Sequence, residues 1–508
     1  MRRARWFGLE GAAGVVLFVA GVAGAQPPPA PPPAIPRGLV HAGSGVSEGY
    51  VLFSPIPSGE IYLIDNAARA VHTWSHPNTG GSLYLRPNGN LLRGARDPEI
   101  LNFRFGGVTG ILQEIDWDGN VVWEFRLGDE KRVLHHDLEP LPNGNVLALA
   151  WELKTPEEVI AAGRRPDAIA EMGLMSEWVL EIEPVRPRGG KIVWEWHVWD
   201  HLVQDHNPEA PGFGDPAAHP GRLDLNAGAG APAITPEELE QLKALGYMPA
   251  DARAEEIEAD FLHANAIDYH PGLDQIAISV PEYGELWIVD HSTTTEEARG
   301  NTGGRAERGG EILYRWGNPA AYGRGEGSPK RLFYQHDVRW IPKGQERAGN
   351  LTILNNGHDR PEGPWTSVDE IAPPLHSDGT YALEGVQPFG PAELAWTAKL
   401  PEDRFAPFIS GATRLANGNT FVCSGTDGIL LEVTRAGDIV WEYRNPYSGN
   451  LRLADGSPLS PGIADRPYAV FRASRISPND PGLAGRVLVP LDPQPAWAPA
   501  PTRPGHLK

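Results

Sequence analysis

An all-β fold, a six-bladed β-propeller of four-stranded blades, is predicted by three observations. A Trp-bearing hairpin pattern recurs along the chain, a second hairpin pattern precedes each copy, and the strands left over at the two ends complete one another.

The first pattern is an apolar pair, an Asp/Asn/Gly turn and an alternating segment with Trp. It reads Ile111-Leu112-Gln113-Glu114-Ile115-Asp116, then Gly119, then Val121-Val122-Trp123-Glu124-Phe125. It returns as Leu430-Leu431-Glu432-Val433 followed by Gly437-Asp438-Ile439-Val440-Trp441-Glu442-Tyr443. Looser copies pair 179–183 with 191–196, 286–290 with 310–316 and 61–65 with 70–74, and a weaker one ends at 393–396. Period-2 alternation around a tight turn is the signature of a β-hairpin.

The second pattern is a strand, a Pro/Asn/Gly turn and another strand. Its copies are 82–93 (turn Pro87-Asn88-Gly89-Asn90), 137–150 (Pro142-Asn143-Gly144-Asn145) and 266–279 (Pro271-Gly272). Three more are 337–354 (Pro342-Lys343-Gly344), 412–423 (Asn417-Gly418-Asn419) and 473–490 (Pro478-Asn479-Asp480). Two hairpins make one four-stranded blade, and five blades are complete between 81 and 443. The sixth draws its inner strands from 472–490 and its outer strands from 60–74, so the two ends share a blade and the ring keeps no open edge.

The propeller therefore spans 49–495. Insertions at 152–177 and 199–262 both fall on the face where the inner strands begin, and elaborated loops on one face usually carry function. Within the second, 235–245 reads as a helix with Thr235 as N-cap, Pro236 at the first helical position and Glu238 closing a capping box. Residues 496–508 form a tail. At the other end, Arg2, Arg3 and Arg5, an apolar stretch over 11–24 and Ala23-Gly24-Ala25 read as a signal peptide over 1–25. A Pro-rich linker follows over 26–48. The expectation is a periplasmic or secreted protein with no stable membrane span after signal cleavage, as monomer or homodimer.

The net charge of −21 argues against a nucleic-acid partner, which needs clustered Lys and Arg. The one cysteine, Cys423, excludes an intramolecular disulfide and sits in the apolar run Thr420-Phe421-Val422-Cys423 as a buried structural thiol.

Aligned on their turns, the six inner strands begin at Gly81, His136, Asn265, His336, Gly411 and Arg472, positions that converge at the mouth of a propeller channel. His263 lies two residues before Asn265 and so on the same side of its strand. One histidine at a strand start is usually a structural hydrogen-bonder; three at convergent positions point to a functional pocket. Alternation turns His135 away from His136 into a structural place, and it keeps Asp137 and Asp337 from being automatic partners of the histidines beside them. His270 reads as an exposed turn residue, and His72, His76, His197, His206 and His376 as structural. Two chemistries remain open for the cluster. Imidazoles suit zinc or copper. Alternatively, one neutral imidazole attacks while the other histidines and an arginine neutralise a transferring anion.

The pieces His135-His136-Asp137, Phe261-Leu262-His263-Ala264-Asn265-Ala266, Gln335-His336-Asp337 and Asn355-Asn356-Gly357 resemble the bacterial aryl-sulfate sulfotransferases, over about 50–490 of the chain. The resemblance implies a six-bladed propeller that moves a sulfo group from an aryl sulfate donor to a phenol acceptor by a ping-pong route, with no nucleotide donor, no metal and no cofactor. It makes His336 the nucleophile that is transiently sulfated, His136 and His263 further catalytic groups, and Asn265 a ligand of the sulfo oxygens. The family has an arginine on the strand after His-x-Asn, where this chain reads Ile278-Ser279-Val280-Pro281-Glu282. Arg472, or Arg360 beside His358, stands in for it, and Arg472, Arg360 and His358 join Asn265 as substrate-binding groups. The competing readings are a non-catalytic propeller binding a ligand or partner at its mouth, and a metal- or quinone-dependent propeller enzyme.

Overall fold

The computed structural model describes residues 36–103, 106–228, 239–240, 259–325, 327–449, 451–457, 459 and 466–497. The chain divides into Met1–Pro36 and Arg37–Lys508, and the second unit is the propeller. The signal peptide read over 1–25 lies outside the described residues, as do 26–35 of the linker and 498–508 of the tail. Of the helix read over 235–245 only Leu239 and Glu240 are described, and both are helical.

Six antiparallel sheets form the blades. The first comprises Gly80–Leu85, Leu91–Arg96, Gly110–Ile115 and Val121–Arg126; the second Arg132–Pro140, Val146–Lys154, Leu174–Pro184 and Gly190–His197. The third comprises Ala266–His270, Gln275–Val280, Glu285–Asp290 and Tyr314–Trp316; the fourth His336–Trp340, Leu351–Asn355, Ser367–Ile371 and Trp396–Lys399. The fifth comprises Gly411–Arg414, Thr420–Ser424, Ile429–Val433 and Ile439–Arg444. Apolar side chains from neighbouring blades mesh between the sheets, as where Leu92, Leu112 and Trp123 of the first meet Val146, Ala148 and Leu180 of the second. Cys423 lies in such a layer, and burial pushes its thiol pKa up.

The Asn-Gly-Asn turns do more than reverse the chain. In three blades both asparagines donate to one oxygen of a glutamate on the third strand: Asn88 and Asn90 to Glu114 Oε1 (3.1 and 2.6 Å), Asn143 and Asn145 to Glu181 Oε1 (2.9 and 2.5 Å), Asn417 and Asn419 to Glu432 Oε1 (3.1 and 2.8 Å). The intervening glycine takes φ of 84°, 93° and 86°, which a Cβ disfavours. The repeated glutamate is thus the acceptor that locks each turn onto its own sheet.

The repeated tryptophan links the ring. Each outer-strand indole N–H donates to a backbone carbonyl in the connection between the third and fourth strands of the next blade. The six bonds are Trp74 to Asp116 (3.2 Å), Trp123 to Gly189 (2.8 Å), Trp196 to Gly310 (2.7 Å), Trp316 to Pro391 (2.8 Å), Trp396 to Arg435 (2.9 Å) and Trp441 to Asn66 (3.0 Å). Trp441 is fully buried and spans the junction with the closing blade. Trp441→Ala is expected to destabilise the fold by about 3–5 kcal/mol through the cavity it leaves, read as a lowered midpoint in urea with the slope unchanged.

The ends share the sixth blade, but not as two strands plus two. The C-terminus supplies only the innermost strand, Val470–Ile476, and the N-terminus supplies Tyr50–Pro55, Glu60–Asp65 and Ala70–Ser75. The inner hairpin expected over 473–490 is therefore corrected. Val51, Leu52 and Phe53 are buried on both faces and make the better second strand, whereas Val487 and Val489 are 88% and 62% exposed. Gly38–Ala42, inside the stretch read as linker, is a strand that pairs with Ile439–Arg444 and extends the fifth blade outward.

The two insertions hydrogen-bond to each other. Arg165 N–H donates to Asn226 Oδ1 (2.9 Å), Asn226 Nδ2 to Gly163 O (3.0 Å) and Met175 N–H to Ala259 O (2.8 Å). Pro156–Ala161 in the first is a short helix closed by a Thr155/Glu158 capping box. Among the described residues no helix is long and apolar enough to cross a membrane.

Candidate active site at the channel mouth

The inner strands do not start as regular strands. Register shifts interrupt the pairing of Arg132–Pro140 between Ala148 and Leu149 of its partner, and that of His336–Trp340 between His336 and Arg339. His136, His263, Tyr334, Asp337, Ile409 and Ser410 all have positive φ, between 45° and 89°. Such backbone is costly outside glycine, above all for the β-branched Ile409, and its concentration here marks the mouth as the strained part of the fold. A bulge breaks the alternation of side chains. So His135 does not point away from His136, as simple alternation predicts: the two Nδ1 atoms lie 2.9 Å apart.

His136, His263 and His336 converge. The His136 and His263 rings stand 4.4 Å apart, tilted by 76°. His336 is near enough that a charge on His263 disfavours one on it. The three nevertheless differ in protonation. His336 is pushed down to about 3, by burial first and then by the charges of His263 and Arg472, against the opposing hydrogen bond to Asn356. His136 is held well below the ordinary range by burial and then by the charges of His263, His135, His336 and Arg472. His263 is the reverse: burial depresses it, but the Asp260 carboxylate on Nδ1, with Glu282 and Glu177 beyond, outweighs burial and raises it to about 9. At neutral pH the mouth therefore holds two neutral imidazoles and one imidazolium.

The His336 tautomer follows from its neighbours. Asn356 Nδ2 donates to Ala406 O (2.7 Å) and Ile409 O (3.1 Å), so Oδ1 faces His336 Nδ1 at 2.7 Å. An amide oxygen accepts only, so Nδ1 carries the proton and Nε2 keeps its lone pair. Asn356 is buried, belongs to the Asn355-Asn356-Gly357 piece, and sits one residue beyond the second strand of the fourth blade. Asn265 is fully buried, and its Nδ2 donates to Gln335 O (2.8 Å), bracing the residue before His336. Its Oδ1 has no partner among the described residues.

The candidate arginines are engaged elsewhere. Arg472 reaches the channel, but its guanidinium is buried between Asp137 (2.7 Å) and Asp337 (2.9 Å). Arg339 pairs with the same two carboxylates (3.1 and 2.8 Å) and with Glu139 and Asp268 (3.3 and 3.4 Å), so a charged plug fills the channel. Burial first, with help from neighbouring carboxylates, holds Glu139 and Asp268 above the usual carboxylate range. Arg360 lies over the Trp365 ring at 3.6 Å and donates to Ser367 Oγ (2.9 Å). His358 packs edge-on against Tyr334 at 4.1 Å, and burial lowers it to about 4. The exposed Glu282, where the resemblance expects arginine, accepts from the Tyr334 hydroxyl. Among the described residues, the cation at the histidine cluster is thus the His263 imidazolium, paired with Asp260 behind it. Asp260, three residues upstream in Asp260-Phe261-Leu262-His263, was legible only as a nearby carboxylate.

Gly107 closes over His136. A Cβ there would sit 2.1 Å from both Cε1 and Nε2 of the ring, and the backbone φ is 78°. Gly107→Ala is expected to displace the His136 ring and lower turnover of any substrate at the mouth about 10²-fold, the usual cost of a misplaced reacting group, with near-UV circular dichroism unchanged beyond the local signal.

Among the described residues no three His, Cys, Asp or Glu side chains group as metal ligands. The chain resembles several solved structures at low identity. One is a protein of unknown function from Bacteroides caccae (10% identity, 78% of this chain and 94% of that one, TM-score 0.38). Others are the β-propeller domain of Myceliophteria thermophila Cps50 (Swd1) (12%, 82% and 91%, TM-score 0.36) and apo AztD from Citrobacter koseri (8%, 84% and 98%, TM-score 0.34). These likenesses carry no argument about chemistry. No curated protein matches the chain. A family model described as Arylsulfotransferase (ASST) matches residues 60–446.

Proposed function

The chain belongs to the arylsulfotransferase family, and from that premise we propose that it moves a sulfo group from an aryl sulfate to a phenolic acceptor in two half-reactions through a sulfo-histidine at His336. The observation that carries this reading is the state of His336: neutral, with Nδ1–H fixed on Asn356 and Nε2 left with its lone pair. A neutral imidazole attacks sulfur while the S–O bond to the aryl group breaks and its electron pair leaves with the phenolate. In the second half a phenol oxygen attacks the same sulfur, the N–S bond breaks, and its pair returns to Nε2. Negative charge on the sulfo oxygens is met by the His263 imidazolium, whose charge Asp260 sustains. In a buried site that ion pair does the work otherwise expected of an arginine.

The test is intact-protein mass after brief exposure to a chromogenic aryl sulfate without acceptor. A gain of one sulfo group, matched by one equivalent of released phenol and discharged by added phenol, is the expected result. Phenol release with no labelled protein would overturn the two-step route.

A further inference from the structure

Resting on that reading, we propose that His135 and Glu177 are positioning residues for His136, forming a Glu177–His135–His136 relay through which His136 Nε2 exchanges the substrate's proton. Strand alternation alone gives His135 a structural place, and no motif in the sequence marks Glu177. In the structure Glu177 Oε2 lies 3.0 Å from His135 Nε2, and His135 Nδ1 lies 2.9 Å from His136 Nδ1. All three residues are at least 96% buried, with relative exposures of 1%, 1% and 4%. Glu177 is held in place through its other oxygen, which accepts from Ala264 N–H (2.7 Å) and Trp151 Nε1–H (3.1 Å). The Trp151 ring stacks on His135 at 4.0 Å and fixes the plane of the imidazole.

The proton positions follow from the partners. A carboxylate already taking two donors accepts a third from His135, so His135 Nε2 carries a proton. The Nδ1 to Nδ1 contact then holds one proton in every state. With two protons on the two rings, His136 donates from Nδ1 and its Nε2 has a lone pair. With three, His135 is the imidazolium against Glu177, His136 accepts at Nδ1, and its Nε2 bears the proton. His136 thus takes up or gives a proton at Nε2 while the positive charge appears on His135, next to the carboxylate. Burial and the neighbouring cations hold His136 neutral, which is the state this exchange requires of it. No protein hydrogen bond occupies His136 Nε2 among the described residues. In the first half-reaction the relay gives its third proton to the departing phenolate. In the second it receives one proton from the acceptor phenol, so the cycle closes with no net proton.

Glu177→Gln is the discriminating variant. Its amide oxygen keeps Ala264 and Trp151, but its N–H faces His135 Nε2 and forces the opposite tautomer along the chain, leaving His136 Nε2 protonated and unable to accept. The expected result, in kcat/KM for the donor, which reports the first half-reaction alone, is a fall of about 10²–10⁴-fold, the range of general acid–base catalysis, for donors whose phenol leaves poorly. For strongly acidic phenols, which need no proton, the loss stays within a few-fold. A uniform loss across the donor series, or none, would overturn the relay. Nitrogen-15 NMR of labelled histidines gives a readout that does not depend on turnover. Above the pH where the relay loses its third proton, wild type should show His136 protonated at Nδ1 and His135 at Nε2, and the variant the reverse. Wild-type spectra with His136 protonated at Nε2 there would sink the proposal even if the variant failed to fold. Failure of the sulfotransferase reading looks different: no donor would sulfate wild-type His336, while the tautomers remained as described.

Discussion

His336→Ala is expected to abolish sulfo labelling of the protein and to lower aryl-sulfate turnover on the order of 10⁴-fold or more, the scale seen when a nucleophile that acts as part of a unit is removed. The expectation rests on lone-pair bookkeeping around one ring. Asn356 turns its oxygen to Nδ1 because its own N–H groups are spent on Ala406 and Ile409. Among the described residues His336 is the imidazole at the mouth whose tautomer an amide fixes in this way. Removing the ring leaves Asn356 Oδ1 buried without its donor, which costs about 1–3 kcal/mol, so loss of fold is not expected. Intact mass, stopped-flow release of a chromogenic phenol and near-UV circular dichroism separate these effects. Retained labelling in the variant would move the nucleophile to another residue. The pH dependence of stability has a definite sign here. His336 is depressed to about 3, so it remains neutral when folded and takes a proton when unfolded. Its contribution therefore weakens stability progressively as pH falls from about 6.5 toward 3.

Asp260→Asn is the second large effect. In wild type His263 is charged up to about 9, so the first half-reaction with an aryl sulfate, a donor that does not itself titrate nearby, should lose rate as pH rises through about 9. The amide keeps the bond to the His263 backbone N–H (3.0 Å in wild type) but removes the charge that holds the imidazolium. The basic limb of kcat/KM is expected to move to about 6.5 or below, with a loss near pH 7.5 of about 10²-fold, typical for one missing donor to a developing oxyanion. His263 also contributes to stability with the opposite sign from His336. Its folded pKa lies above the unfolded one, so its ion pair stabilises fully below about 6.5 and is lost as pH rises toward 9. A variant with an unshifted basic limb would show that another group supplies the cation.

Much of the fold was legible because blades repeat. Six tryptophans at one place in the hairpin and Asn-Gly-Asn turns facing a glutamate are local patterns, and each has a local physical reason in the structure. The convergence of His136, His263, Asn265, His336 and Arg472 was legible too, since it needs only the strand starts and the ring. What the pattern missed depends on contacts between distant segments. Glu177, on the third strand of its blade and after an insertion, meets His135 on the first strand across the second strand between them, and Arg472 meets Asp137 and Asp337 only because three blades turn inward together. Alternation also fails where bulges and positive φ break it, which is why His135 lies beside His136 rather than behind it.

By itself, then, the sequence determined the number of blades, the closure of the ring by both termini and the histidines at the mouth, because these follow from spacing. Only the tertiary structure decided which strand of the sixth blade comes from which end, which histidine is charged, and which arginine is already bound. Those outcomes depend on burial and on the nearest opposite charge, and neither is a property of spacing along the chain.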